Sequence, residues 1–171
     1  MLTLKVAPHI DTKNSDIAQL RDCIAQWQKL FSPGEQKYSL DGYEHLFAQE
    51  EDELLIYDNY AEQDSKFIGF QRYREIWERE INSNFPDFIM HHIELDRIET
   101  SNNLAWSALT WWGRVLKNGD ALYPAQHATH IWRKVDTEWQ IIHEHLTSGV
   151  KENGQDSTRS FSSSEKCLSF N

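Results

Sequence analysis

The chain has 171 residues, a formal net charge of −10 and a pI near 5.2. That length suits one domain of ordinary size with a core of its own, and a surface this acidic repels phosphate backbones and anionic membranes, so neither nucleic acid nor a membrane is an expected partner. Cys23 and Cys167 belong to no CxxC pair and imply no disulfide framework. There is no apolar run of the roughly eighteen residues a span needs, and "MLTLKVAPHIDTKN" has no signal-peptide core, so the chain reads as soluble and cytoplasmic.

Residues 1–14 read as an irregular lead-in. From Asp16, Ile17, Leu20, Ile24, Trp27 and Phe31 recur at spacings of three and four and predict a helix with one apolar stripe. Ser15 is its expected N-cap, and Ser32-Pro-Gly34 stops it. Asp41-Gly-Tyr-Glu44 has capping-box spacing and predicts a short second helix through Phe47. Leu54–Asp58, "LLIYD", reads as a short buried strand. "IGFQRYREIWEREI" predicts a third helix, with Phe70, Tyr73, Trp77 and Ile81 along its apolar side.

The second half changes character. Segments 87–99, 104–116, 125–135 and 139–148 read as strands, separated by "TSNN", "KNGD" and "DTE". Connections that short demand antiparallel neighbours, so the four form a meander. Helices first and strands after is the α+β pattern. Bulky residues on both faces of these strands, such as Trp106, Thr110 and Trp112 opposite Leu109 and Trp111, imply a sheet covered on both sides. Helices can cover one face, and a second copy of the chain the other, so a homodimer is expected. Residues 150–171, rich in Ser, Lys, Glu and Gly, read as a disordered tail.

Three helices, a short strand ending in an acidic residue and a four-strand meander resemble the nuclear transport factor 2-like (NTF2-like) superfamily, with its cone-shaped cystatin-like α+β fold. "THIWRKVDTEWQIIHEHLTSG" is similar to the closing hairpin of SnoaL-like domains and also to the end of the calcium/calmodulin-dependent protein kinase II association domain. The resemblance covers about residues 14 to 149. It departs from the pattern at Asp136-Thr137, where an Asp-Gly turn is usual. It implies three N-terminal helices on a curved antiparallel sheet, a conical pocket between them, and dimers through the outer sheet face.

Alternation on the last strand puts Trp139, Ile141, His143, His145 and Thr147 on one side and Gln140, Ile142, Glu144 and Leu146 on the other. The resemblance to steroid isomerases turns Glu144 inward, together with Ala128, His130 and Trp132 on the preceding strand. It places Asp58 where those enzymes carry their catalytic base and His130 where they carry an oxyanion-stabilising acid. The candidate catalytic set is therefore Asp58, His130 and Glu144. Trp111, Trp132, Tyr57 and Trp27 are the candidate ligand-binding residues, Trp27 being the nearest aromatic to a helix-one tyrosine that the isomerases have.

His143 and His145 could chelate a metal from one face, but no third ligand is in register, so no metal is expected. No cofactor is implied. The functional expectation is a small-molecule pocket protein taking a small organic ligand: a cofactor-independent isomerase, cyclase or dehydratase working by general acid/base proton transfer. The alternative is a non-catalytic ligand-binding or oligomerisation module like the kinase association domain, and a metal-dependent barrel enzyme is a third reading. The resemblance does not choose among them.

Overall fold

The computed structural model describes residues 12–31, 37–58, 65–84, 89–117, 120–122 and 125–148. Most of the expected lead-in and all of the expected tail lie outside these residues. In chain order the elements are α1 (Thr12–Leu30), a single 3₁₀ turn (Glu44–Leu46), β1 (Leu55–Asp58), β2 (Lys66–Ile68), α2 (Phe70–Asn84), β3 (Ile89–Ser101), β4 (Leu104–Lys117), β5 (Asp120–Leu122), β6 (Ala125–Val135) and β7 (Glu138–Ser148).

The fold is α+β, and among the described residues two α-helices, rather than the expected three, lie on a curved sheet. The expected second helix shrinks to one 3₁₀ turn, because the Glu44 carboxylate caps Gly42 N at 2.7 Å but no apolar stripe continues past Phe47. Helix α1 starts at Thr12, inside the expected lead-in, so Ser15 is a helical residue and not the cap. Strands β2 and β5 were not expected. Each is three residues long, too short for alternation to register.

The sheet order is β2-β1-β7-β6-β4-β3, with β5 pairing β4 off that path. The four long strands form the expected antiparallel meander. Strand β1, however, runs parallel to β7, so the sheet is mixed and not purely antiparallel. Two hairpins turn on two residues each, Asn102-Asn103 and Asp136-Thr137. Their first residues take left-handed φ of 53° and 54°, which Asn and Asp tolerate; Thr137, where a glycine is usual, keeps a negative φ and so needs no glycine. Gly69, between β2 and α2, has φ +86°, and a Cβ there would sit 2.6 Å from Glu51 O. Only glycine lets that turn close.

Bulges bend the sheet. The β3–β4 register slips between Met90 and His92 and again between Leu95 and Arg97. The β6–β7 register slips opposite Ile131 and Trp132, which leaves Ile142 as the extra residue. Helix α1 buries Leu20, Ile24, Trp27 and Leu30, and α2 buries Phe70, Tyr73, Ile76, Trp77 and Ile81, against the inner sheet face. Removing a buried ring such as Trp27 from a core of this kind costs about 3–5 kcal/mol.

The slip at Ile142 corrects the expected faces of the last strand. Trp139 and Ile141 are buried on the inner side, not the outer one, while Gln140 and Ile142 are half-buried. Beyond the bulge the phase reverses, and Glu144 and Leu146 are the inner residues. One extra residue moves every later side chain to the other face.

Candidate functional site: a buried carboxylate between two helices and the sheet

Strand β6 alternates cleanly and turns Gln126, Ala128, His130 and Trp132 inward. On β7, Glu144 stands directly opposite His130 in register. Both side chains are 0% exposed. A carboxylate taken out of water needs donors, and here each helix sends one. Trp27 of α1 donates Nε1–H to Glu144 Oε2 at 3.0 Å. Tyr73 of α2 donates its hydroxyl to Oε1 at 2.9 Å. Glu144 thereby joins α1, α2 and β7 at one point.

His130 Nε2 also lies 3.0 Å from Glu144 Oε2, close enough for an ion pair if the imidazole is protonated. The approach is off the line of a directed hydrogen bond, and neither ring nitrogen of His130 has an aligned partner among the described residues. The contact is therefore electrostatic. The ring is wedged between Trp27 (centroids 4.8 Å apart) and Trp132 (5.4 Å), both edge-on. Trp132 is held in turn by its Nε1–H donating to Ser107 Oγ at 3.0 Å. Trp111 meets Trp27 edge-on at 6.5 Å and stacks on Phe31 at 6.5 Å, which extends the aromatic wall.

Asp58 reaches the same layer from β1. The parallel register sets Ile56 beside Glu144 and Asp58 beside Leu146, so Ile56 and Asp58 share the inner face. The Asp58 side chain is buried, and its backbone N–H donates to Ser65 O at 3.0 Å. Two tyrosines respond to these carboxylates. Burial pushes the Tyr73 phenol well above the ordinary tyrosine range, and Glu144, Tyr38 and Asp58 push it further. Tyr38 is raised in the same way, by burial first and then by Glu144, Glu78 and Asp58. Both therefore remain O–H donors under physiological conditions.

Of the residues named from sequence, Asp58, His130, Glu144, Trp27, Trp111 and Trp132 all lie on this inner face. Tyr57 does not. It alternates to the outer face, is 39% exposed, and packs edge-on between His143 (5.4 Å) and His145 (5.9 Å). Strand period 2 forbids Tyr57 and Asp58 from sharing a face. His143 Nδ1 is 2.8 Å from Leu55 O, so this ring is satisfied by backbone. No three His, Cys, Asp or Glu side chains among the described residues are grouped to hold a metal ion.

Tyr73, Tyr38 and Gln126 were missed as site residues. Tyr73 carried a readable signal, since a phenol inside an apolar helix stripe needs a buried partner. Tyr38 carried none, because it lies in a segment without periodicity. Gln126 looked like a strand-end polar residue, yet it is buried with no partner for Oε1 among the described residues.

No family model matches the sequence, and no curated protein matches it. Solved structures do. An NTF2-like protein of unknown function from Pseudomonas putida is 20% identical, with a TM-score of 0.63 over 85% of this chain and 94% of its own. An uncharacterised protein with a cystatin-like fold from Caulobacter vibrioides is 12% identical, with a TM-score of 0.60 over 79% of this chain and 90% of its own. A candidate calcium/calmodulin-dependent protein kinase type II association domain from Thiobacillus denitrificans is 14% identical, with a TM-score of 0.56 over 78% of this chain and 94% of its own. Identities this low speak for backbone architecture alone, and on that architecture the chain has the NTF2-like, cystatin-like α+β fold.

Proposed function

We propose that this protein is a SnoaL-like small-molecule pocket protein that moves a proton by general acid/base chemistry without a cofactor. The observation that carries the reading is His130: an imidazole wholly out of water, beside a carboxylate, with no directed hydrogen bond on either nitrogen. Buried polar groups in folded proteins are nearly always paired, and one that is not calls for an explanation, of which a catalytic role is one. Glu144 already receives donors from Trp27 and Tyr73 on its two oxygens. Its role in this reading is to orient and polarise His130. Asp58 is assigned the proton-abstracting role and His130 the donor to a developing oxyanion. Trp27, Trp111 and Trp132 would wall the ligand.

The test is hydrogen–deuterium exchange at the carbon next to the carbonyl in a panel of cyclic ketones and enones, followed by NMR in heavy water. Protein-dependent exchange with at least one member is expected. Asp58→Asn should abolish it, and His130→Ala should slow it by about one to three orders of magnitude. No exchange across the panel would leave the second reading.

That second reading is a non-catalytic ligand-binding or oligomerisation module, and the outer sheet face favours it. Trp106 and Ile131 pair directly across β4 and β6, each 37% exposed, with Leu104 and Val135 also exposed on these two strands. We propose a homodimer through this face under either reading. No helix among the described residues is long and apolar enough to cross a membrane; a cytoplasmic setting is our proposal, and it fits the free Cys23 thiol.

A further inference from the structure

The inner face holds a second buried group that the proton-transfer reading leaves idle. Tyr38 is 3% exposed, and its hydroxyl has no hydrogen-bond partner among the described residues. The residue is nonetheless held firmly. Asn82 of α2 binds both of its backbone groups, Glu78 receives the next-but-one amide, Leu40 N, at 2.9 Å, and the ring packs on Phe31 with centroids 5.5 Å apart. A rigidly placed phenol with an idle donor is what a recognition group needs, since little rotamer freedom is lost when the bond forms.

We propose that the Tyr38 hydroxyl is the group that recognises the ligand, donating a hydrogen bond to an acceptor oxygen on a neutral molecule with an apolar body. The proposal rests on the pocket reading above and adds the ligand's chemistry. The buried polar side chains of the described core are Asp58, Ser107, Gln126, His130 and Glu144, with no Lys or Arg among them. Two carboxylates and no fixed cation disfavour an anionic ligand. The aromatic wall of Trp27, Phe31 and Trp111 suits an apolar body. The phenol stays protonated beside the Glu144 and Asp58 charges, so it offers a donor.

The probe is acetophenone carrying a carbon-13 carbonyl, with wild-type, Tyr38→Phe and Tyr57→Phe proteins. Calorimetry gives the affinity, isotope-edited infrared spectroscopy gives the carbonyl stretch of the bound ketone, and thermal melts check the fold. In the wild-type protein the stretch should move to lower wavenumber than for the ketone in hexane. In Tyr38→Phe it should return toward the hexane value, and affinity should fall about fivefold, the worth of one neutral hydrogen bond. The melting midpoint of Tyr38→Phe should hold or rise, because an idle buried hydroxyl is removed. Tyr57→Phe, on the outer face, should keep the shifted stretch. A Tyr38→Phe protein that binds with unchanged stretch and affinity overturns the proposal and leaves the pocket reading standing. A Tyr38→Phe protein that melts several degrees lower, or fails to fold, overturns it by making the hydroxyl structural. No acetophenone binding to the wild-type protein overturns both.

Discussion

Asn82 holds Tyr38 by both backbone groups: its Oδ1 accepts from Tyr38 N and its Nδ2 donates to Tyr38 O, each at 2.9 Å. The segment carrying Tyr38 and Leu40 is thus attached to α2 through side chains. Asn82 and Glu78 bind its backbone, and Arg74 pairs with Asp41, with Glu44 at 3.0 Å and with Glu78 at 3.4 Å. Asn82→Ala leaves two part-buried backbone groups without partners, which costs about 1–3 kcal/mol. The melting midpoint should fall by several degrees. Hydrogen exchange should show faster turnover at the Tyr38 amide while the β6 and β7 amides keep their protection.

Tyr73→Phe deprives Glu144 Oε1 of its donor. A buried carboxylate that loses a partner destabilises the fold by about 1–3 kcal/mol, and urea unfolding should register it. Once Glu144→Leu has removed the carboxylate, the added Tyr73→Phe change should cost markedly less, because the two side chains act as one pair. Strict additivity in this double-mutant cycle would show that the bond contributes nothing.

The two buried phenols give an alkaline signature. Folded Tyr38 and Tyr73 hold their protons well above the ordinary value of 10.0, through burial first and neighbouring carboxylates second. Above that pH the unfolded chain has released these protons and the folded chain has not. Stability is therefore undiminished below about pH 10 and declines as pH rises beyond it. An ultraviolet titration should show a class of tyrosines that ionises only as the protein unfolds. Tyr38→Phe and Tyr73→Phe should each shrink that class.

Cys23 should be a slow thiol. Burial, then the charges of Asp22 and Glu138, raise its pKa from 9.0 to about 11. The thiolate is the reactive form, so alkylation by iodoacetamide at neutral pH should be far slower than for a free cysteine peptide. Equal rates would place Cys23 in open solvent.

For the outer face, Ile131→Lys sets a charge beside Trp106. If that face joins two copies, light scattering should fall from about twice 20.2 kDa to the single-chain mass. A wild-type protein that already scatters as a monomer at micromolar concentration removes the dimer.

Much of this architecture was legible because period 2 and period 3.6 leave different marks. The Phe70–Tyr73–Trp77–Ile81 stripe gave α2 to within a few residues, and alternation set His130 and Trp132 on one face of β6, which the resemblance turned inward. The bulge at Ile142 left no such mark. Ile141 and Ile142 are identical residues, so nothing in the string says which faces in. Glu144 was placed inward by resemblance, although alternation carried back from it misassigned Trp139 and Ile141. Tyr57 was named as a ligand residue, although the same alternation rule sets it on the opposite face from Asp58. Tyr38 depends on contacts with Asn82, 44 positions away, which no local pattern encodes.

The bulge also sets how the closing hairpin tolerates change in length. Strand β7 is a strand in two phases, odd-numbered positions inside before Ile142 and even-numbered ones after it. Losing Ile142 would merge the phases into one plain alternation that keeps Trp139, Ile141, Glu144 and Leu146 all inside and straightens the strand. Losing another residue of the strand while the pairing at both ends holds would also use up the bulge, but would turn the residues between that position and Ile142 to the opposite face. The bulge is therefore the place where the hairpin tolerates a single deletion, and a gap there in an alignment of related chains leaves the inner face where it is.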